Sequence, residues 1–276
     1  MSYADQVFIH TCRDILSNGF WDTDLPVRPR WADGTPAHTV KIFGVVNRYD
    51  LRREFPIMTL RRTAFKNCVD ELLWIWQKKS NDIRQLGSHV WDAWADERGT
   101  IGKAYGYQLG VKHRYSDGWF DQVDRVLKDL RENPASRRMV TSLFNHHDLS
   151  EMGLYPCAWS MTFNVTGSTL NAVLNQRSQD MLTASNWNVC QYAVLVHMMA
   201  RSAGLEAGEL VHVIADCHIY DRHVPLVEEL LRREPRPAPR LAVDPAVTDF
   251  YAFTADSFRL EGYEPWSFAE KIEVAL

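Results

Sequence analysis

The segment that decides the fold runs from Cys157 to Arg177 and reads Cys-Ala-Trp-Ser-Met-Thr-Phe-Asn-Val-Thr-Gly-Ser-Thr-Leu-Asn-Ala-Val-Leu-Asn-Gln-Arg. From Cys157 to Val165, apolar side chains at the odd-numbered positions alternate with smaller or more polar side chains at the even-numbered ones. This alternation has the period of a β-strand. The group 166–168, Thr-Gly-Ser, predicts a turn, and residues 169–177 predict a second strand. The chain therefore contains a β-sheet, and Cys157 lies at the mouth of one strand.

A buried helix is predicted upstream, between Asn67 and Gln77. Apolar residues follow the i, i+3, i+4, i+7 rule on one face, and Cys68 and Ile75 lie on another. Glu71 is flanked in space by Cys68 and Ile75, so its carboxyl is expected to face the interior. A buried carboxyl has a raised pKa or a function, unless it pairs with a nearby arginine, and the residues leave both alternatives open.

Downstream of the hairpin the pattern changes to a long helix and then a strand. Ser185 and Asn186 are expected to supply N-cap chemistry, residues 189–203 are helix-compatible, and Gly204 stands where a C′ residue belongs. Residues 211–220 alternate, which places His218 and Tyr220 on one face of a strand. Long helices between strands, without a regular βαβ rhythm, predict an α+β fold.

Composition narrows the functional classes. The chain has 276 residues with 31 basic and 35 acidic side chains, a net charge of −4, so nonspecific nucleic-acid binding is disfavoured. No membrane-spanning stretch or secretory signal is visible, which predicts a cytoplasmic protein. We expect one domain over residues 1–276, with loops and short helices from 92 to 118 and a short rigid connection at 234–239.

Several residues are candidates for chemistry. The five cysteines are odd in number and contain no C-x-x-C pair, which argues against a disulfide framework and a zinc site, and no histidine pair has recognised ligand spacing, so no metal is expected. Cys157 is either a nucleophile or an inert core thiol. Arginines in the groups 137–138 and 176–180 match a phosphate monoester, with a solvated surface as the alternative.

Eight motifs in order resemble the folate-dependent thymidylate synthase family, from about Trp21 to Leu276. They are Asp70-Glu71-Leu72-Leu73-Trp74, Val90-Trp91-Asp92-Ala93-Trp94, Ala104-Tyr105-Gly106, Ser136-Arg137-Arg138, Pro156-Cys157, Gln176-Arg177-Ser178-Gln179-Asp180, Asn188 and Asp216-Cys217-His218-Ile219-Tyr220. The resemblance implies a mixed sheet packed with helices, with two such sheets back to back in a homodimer.

The resemblance also implies the reaction: reductive methylation of dUMP to dTMP, with 5,10-methylenetetrahydrofolate as the carbon and hydride donor and no metal. Cys157 would attack C6 of the pyrimidine, and Glu71 would act as general acid/base. Tyr105 would help to remove the C5 proton, and Asn188 would recognise the uracil edge.

The implied ligand contacts form three groups. The nucleotide would be held by Arg177, Ser178, Gln176, Gln179, Asp180, Asn188, His218 and Tyr220. The partner subunit of the homodimer would add its own copies of Arg137 and Arg138 to the phosphate site. Folate would contact Trp91, Trp94, Asp180 and Ala275, while the C-terminal residues 274–276 close over it. No membrane or nucleic acid is required.

The sequence departs from the family pattern at four places. Ala158 follows the nucleophile where His is common, and Ala184-Ser185-Asn186-Trp187 replaces Gly-x-Pro-Phe, which leaves the choice between uracil and cytosine open. The usual N-terminal phosphate loop is missing, so Arg28 is nominated in its place, and Glu273 stands where Pro is usual.

Two other functions are alternatives to the synthase. A pyrimidine nucleotide hydroxymethylase, acting on dUMP or dCMP, has the same fold, cysteine and folate, but water completes its reaction. A non-catalytic nucleotide- or RNA-binding relative is predicted to lack Cys157 or Glu71, and both are present.

Overall fold

A computed structural model describes residues 1–270 and 272–276. Within them the helices are α1 (Tyr3–Asn18), α2 (Phe65–Trp76), α3 (Gly106–Gly110), α4 (Gln122–Glu132), α5 (Ser185–Ser202) and α6 (Val224–Leu231). The strands are β1 (Phe20–Trp21), β2 (Thr39–Asp50), β3 (His113–Tyr115), β4 (Gly118–Phe120), β5 (Val140–Ser142), β6 (Ala158–Thr166), β7 (Thr169–Asp180), β8 (Glu206–Tyr220), β9 (Arg240–Val243) and β10 (Phe258–Glu261).

One six-stranded sheet organises the molecule, in the order β1-β2-β8-β7-β6-β5. Strands β7 and β8 are parallel, and the other neighbouring pairs are antiparallel. A parallel pair needs a crossover, and α5 provides it between β7 and β8. The mixed sheet and its helices confirm the predicted α+β class, and the hairpin from 157 to 177 is β6 and β7 with the second strand three residues longer.

The core lies between the sheet and the helices α2 and α5. Helix α5 is buried on nearly all sides, with Val194, Leu195 and Val196 each fully buried, as its continuous apolar sequence predicted. Its start differs from the prediction, because Ala184 is the N-cap and no side chain caps the helix. The Asn186 amide instead accepts from the Met58 N–H at 2.8 Å and donates to the Pro56 carbonyl at 3.1 Å, which ties α5 to that segment.

Two connecting segments were predicted in outline. The stretch 92–118 contains short helices, as expected, but its end also forms the first part of a two-stranded β3–β4 hairpin. The Pro-rich segment 234–239 joins α6 to β9. Over the described ranges 1–270 and 272–276, no helix has both the length and the apolarity needed to cross a bilayer.

The sheet brings the candidate chemical groups to one end. Ala158 pairs with Gln176 across β6 and β7, and Asp180 pairs with His218 across β7 and β8. Cys157 directly precedes β6, so it lies beside the last residues of β7. Helix α2 carries Glu71, and the first turn of α5 carries Asn188.

Candidate active site

Cys157 is held by its backbone at the start of β6. Its N–H donates to the Tyr105 hydroxyl at 3.1 Å, and its carbonyl accepts from the Arg177 N–H at 2.9 Å. Tyr105 has a φ of 46°, a region that non-glycine residues rarely adopt. The backbone of Cys157 is therefore fixed between two residues that the sequence also marked for chemistry.

The Arg177 guanidinium lies over the chain that leads to the cysteine. Its Nε donates to the Pro156 carbonyl at 3.0 Å, and its Nη2 donates to the Tyr155 carbonyl at 2.7 Å. Burial raises the pKa of the Cys157 thiol, while the positive charge of Arg177 acts in the opposite direction. An anion bound near Arg177 would change this balance, so thiol ionisation and anion binding are coupled here.

Glu71 is a buried carboxyl with two indole donors. Its side chain is 6% exposed, Trp91 Nε1 donates to Oε1 at 3.0 Å, and Trp187 Nε1 donates to Oε2 at 2.6 Å. Burial raises its pKa to about 7, against the opposing effect of these hydrogen bonds. Among the described residues no arginine pairs with Glu71, so the alternative of a structural ion pair is wrong.

Aromatic rings connect Glu71 to the cysteine. The centroids of Trp91 and Tyr105 are 5.0 Å apart, and those of Trp91 and Trp94 are 5.7 Å apart. Trp91 is buried, whereas Trp94 keeps part of its surface exposed. The path Glu71–Trp91–Tyr105–Cys157 is thus continuous, and Trp94 extends it toward solvent.

Asn188 belongs to a chain of side-chain amides. Gln176 Nε2 donates to Asn188 Oδ1 at 3.3 Å, and Asn188 Nδ2 donates to Gln191 Oε1 at 3.2 Å. His212 Nε2 lies 2.8 Å from Gln176 Oε1, and because an amide oxygen only accepts, this nitrogen carries the proton. Burial lowers the His212 pKa to about 3, so the ring is neutral near pH 7. The chain fixes which way the Asn188 amide points.

The end of β8 carries a second polar group. His218 Nδ1 lies 2.7 Å from Asp216 Oδ1, and the rings of His218 and Tyr220 are 5.1 Å apart, as their shared face predicted. Burial raises the pKa of Tyr220 to about 12, and the positive charge of Arg28 acts to lower it. Arg28 is therefore close enough to Tyr220 to contribute charge at this end of the sheet.

The Asp180 carboxylate accepts hydrogen bonds mainly from the residues that follow it in the chain. Its Oδ1 accepts from the Leu182 N–H at 2.8 Å, and its Oδ2 accepts from the Thr183 hydroxyl at 2.5 Å. Burial acts to raise its pKa, but His223, at an ion-pair distance of 3.8 Å, and these hydrogen bonds hold the pKa below its ordinary value. The carboxylate thus stays ionised beside the start of α5.

Four predicted nucleotide ligands lie in different surroundings. Gln179 is 1% exposed, and its amide has no hydrogen-bond partner among the described residues, while Ser178 is half-buried. Arg137 and Arg138 are exposed before β5, and their guanidinium groups form no ion pair within residues 1–270 and 272–276. The structure therefore groups Arg28 and Arg177 with the β-strand ends but leaves the 137–138 pair free in solvent.

The C-terminal tail is docked. Leu276 and Arg30 exchange two backbone hydrogen bonds of 2.7 and 3.0 Å. The Glu273 carboxylate accepts from the Ala32 N–H at 3.0 Å and from Arg222 Nη1 at 3.3 Å. The unusual residue at 273 thus anchors the tail, and Ala275 lies half-buried within it.

Sequence reasoning missed the contacts of Trp187, Gln191 and His212. Trp187 belongs to the altered segment 184–187, but nothing in its spacing indicated a contact with Glu71, 116 positions away. His212 shares the alternating face of β8, which was the only signal of its inward direction. In the described part of the chain, no group of three or more His, Cys, Asp or Glu side chains is arranged to hold a metal ion.

Comparison with known proteins gives one consistent family. A family model described as thymidylate synthase matches residues 6–276. The chain is 44% identical to a thymidylate synthase of Bacillus phage phi3T and 43% identical to thymidylate synthase 1 of Bacillus subtilis (strain 168), in each case over 96% of both chains. The solved structure of a thermostable thymidylate synthase A from Bacillus subtilis matches with a TM-score of 0.95 at 41% identity, over 100% of both chains.

Proposed function

The chain belongs to the thymidylate synthase family, and from this premise we propose that Cys157, Glu71 and Tyr105 carry the family's reaction. The protein is a methyltransferase that converts dUMP into dTMP and takes 5,10-methylenetetrahydrofolate as co-substrate. The relatives reported above carry the synthase name, and nothing in them supports the hydroxymethylase alternative. We assign the activity to one catalytic domain over residues 1–276.

The observation that carries the proposal is the continuous path of contacts from Cys157 to the buried Glu71 carboxyl. Cys157 is the nucleophile, and its thiolate adds to C6 of the pyrimidine and later leaves again. Arg177 favours the thiolate, because its positive charge opposes the effect of burial on the thiol pKa. The Tyr105 hydroxyl accepts from the Cys157 N–H, so it keeps a donor for an ordered water near C5.

Glu71 is the general acid/base. A pKa of about 7 allows the carboxyl to take and return a proton near neutral pH, which is the property that such a group needs. The two indole donors hold both carboxylate oxygens in fixed positions. The proton then moves without reorganisation of the carboxyl.

The nucleotide is held by the strand ends and by the amide chain. Asn188 accepts from N3–H and donates to O4 of uracil, and Gln176 orients it. His218 and Tyr220 bind the sugar hydroxyl, while Arg28, Arg177 and Ser178 hold the phosphate. Gln179 supports the same strand end from the inside, where its buried amide is available to a water or to the nucleotide.

We assign the folate to Trp91, Trp94 and the C-terminal tail. When bound, it supplies the one-carbon unit and the hydride. Trp91 and Trp94 provide an aromatic wall beside Glu71, and Trp94 is the part that faces outward. Asp180 contributes an ionised carboxylate near the pterin, and the docked tail with Ala275 excludes water from this side.

In our proposal a homodimer completes the phosphate site, and two observations support the presence of a second copy. On the sheet face opposite the core, Val46 pairs with Val213 and Val173 pairs with Val211, which forms an apolar surface that stays exposed or half-buried in one chain. Val46 alone is 60% exposed. Arg137 and Arg138 are exposed and form no ion pair with any described residue, so they are available to the phosphate site of a second copy.

The function is tested by product analysis. Purified protein is mixed with dUMP and methylenetetrahydrofolate. Formation of dihydrofolate is followed by its near-ultraviolet absorbance, and the nucleotide product is identified by its mass in mass spectrometry. Dihydrofolate together with a methylated nucleotide is the expected result. A hydroxymethylated nucleotide without dihydrofolate, or no product, would contradict it.

The shared site is tested by subunit mixing. Cys157→Ser and the double variant Arg137→Ala/Arg138→Ala should each be inactive alone. After subunit exchange, half of the dimers should be mixed and each should hold one intact site, so about a quarter of wild-type activity returns. No recovery would mean that the two arginines act on their own subunit's site or on neither.

A further inference from the structure

Each oxygen of the Glu71 carboxylate has its own indole donor. The Trp91 contact comes from the segment before the short helix at 92–94, whereas the Trp187 contact comes from the first turn of α5. The Trp187 bond is the shorter one, 2.6 Å against 3.0 Å. Trp187 also packs against the hydrophobic core, so its ring is held in place independently of this bond.

An indole N–H only donates, and this fact decides which form of the carboxyl it stabilises. An ionised carboxylate accepts at both oxygens, whereas a protonated carboxyl must place its own hydrogen on one of them. With donors on both oxygens, protonation weakens one indole bond, because the hydroxyl oxygen of a neutral carboxyl is a poorer acceptor than a carboxylate oxygen. Two indoles therefore favour the ionised form, against the burial that favours the neutral one.

The other titratable groups that face Glu71 lie on α2, before α3 and on α5. Cys68 and Asp70 lie on α2, Tyr105 precedes α3, and Tyr192 lies on α5. Burial raises the pKa of Cys68, Tyr105 and Tyr192, so these three are neutral near pH 7. The negative charge of Asp70 acts to raise the Glu71 pKa and so opposes the two indole donors.

We propose that Trp187 is a positioning residue that holds the ionised Glu71 carboxylate through its indole N–H and thereby sets the acidic limit of the pH range for turnover. The inference rests on the proposed role of Glu71 as general acid/base. The proposal also assigns a role to the altered segment 184–187, because Trp187 has an N–H donor that the phenylalanine of the usual family pattern lacks. Trp187 acts through Glu71 and need not touch the substrate.

The test compares Trp187→Phe with the wild type, since phenylalanine keeps the aromatic ring and removes only the N–H with its five-membered ring. Loss of one hydrogen bond to a charged acceptor should move the acid limb of the kcat profile to higher pH by about one to two pH units. Trp187→Leu also lacks the N–H and should give the same shift. Trp119→Phe, on the exposed β3–β4 hairpin, is the matched control and should leave the profile unchanged.

A second measurement does not depend on turnover. In protein labelled with ¹³C at the glutamate carboxyl, the Glu71 signal is identified by its loss in Glu71→Gln, and its titration midpoint should rise in Trp187→Phe by the same amount as the acid limb. An unchanged midpoint would overturn the inference whether or not the enzyme turns over dUMP. A raised Glu71 midpoint together with an unchanged acid limb of the kcat profile would overturn the link between this contact and turnover. If the wild type itself makes no dTMP, the proposed function fails, and the midpoint still decides the contact with Trp187.

Discussion

Replacing Glu71 with glutamine should make the stability of the protein depend less on pH. Burial raises the Glu71 pKa from its ordinary value of 4.5 to about 7 in the folded protein. Between these values the folded state binds more protons than the unfolded state, so this carboxyl lowers the free energy of unfolding as pH rises. Over about pH 5.5 to about pH 8.5 the loss amounts to about 2 kcal/mol. Glutamine does not titrate, so Glu71→Gln should gain about 2 kcal/mol relative to the wild type over this interval.

The assay is urea unfolding at several pH values and one fixed protein concentration, followed by tryptophan fluorescence. The quantity that matters is the change with pH in the difference between the two proteins, because all other titrating groups cancel in it. Glu97→Gln is the matched control, since Glu97 is exposed and has no hydrogen bond or ion pair among the described residues, and its curve should stay parallel to the wild type. A difference between Glu71→Gln and the wild type that is constant with pH, or that changes in the opposite direction, would refute the raised pKa.

Three further substitutions test the site. Cys157→Ser should lower kcat by more than about 1,000-fold, because a serine hydroxyl is a far weaker nucleophile, while dUMP binding measured by calorimetry changes only a few-fold; substantial residual turnover would exclude the covalent role. Asn188→Asp should raise the ratio of kcat/KM for dCMP to that for dUMP at least about 10-fold, and an unchanged ratio would mean that another group recognises the ring. Glu273→Ala removes the acceptor for the Ala32 N–H, so KM for methylenetetrahydrofolate should rise about 3- to 10-fold while the affinity for dUMP is kept; an unchanged KM would show that this tail contact does not matter.

The elements that the sequence predicted correctly are those with a strong local period. Strands β6, β7 and β8 alternate, and α2 repeats its apolar face every three to four residues, so each element was predicted. Their bounds agree to within three residues, except that β8 begins at Glu206, five residues before the predicted start. The same periodicity placed Glu71 inside, because a helix that is apolar on several faces leaves a carboxyl no exposed side. The local pattern was therefore enough to predict that Glu71 is buried, although it did not predict which side chains donate hydrogen bonds to its carboxyl.

The features that the sequence did not predict depend on contacts between distant segments. Asn186 has the residue type of a helix N-cap, but it does not cap α5. Its side-chain amide instead forms hydrogen bonds with the backbone of Met58 and Pro56, more than 100 positions earlier. Trp187 reaches Glu71 in the same way. Both contacts exist only because α5 packs on α2 and on the chain before it, and no local spacing carries that information.

The most direct test of the central claim is to trap the bond between Cys157 and the pyrimidine. A dUMP analogue with fluorine at C5 cannot lose that substituent as a cation, so the adduct formed with methylenetetrahydrofolate should persist after the thiol has added to C6. Intact mass spectrometry should then show the wild-type chain carrying one nucleotide and one folate, and peptide mapping should place them on Cys157, with no adduct in Cys157→Ser. An adduct on another residue, or none on the wild-type chain, would contradict the account.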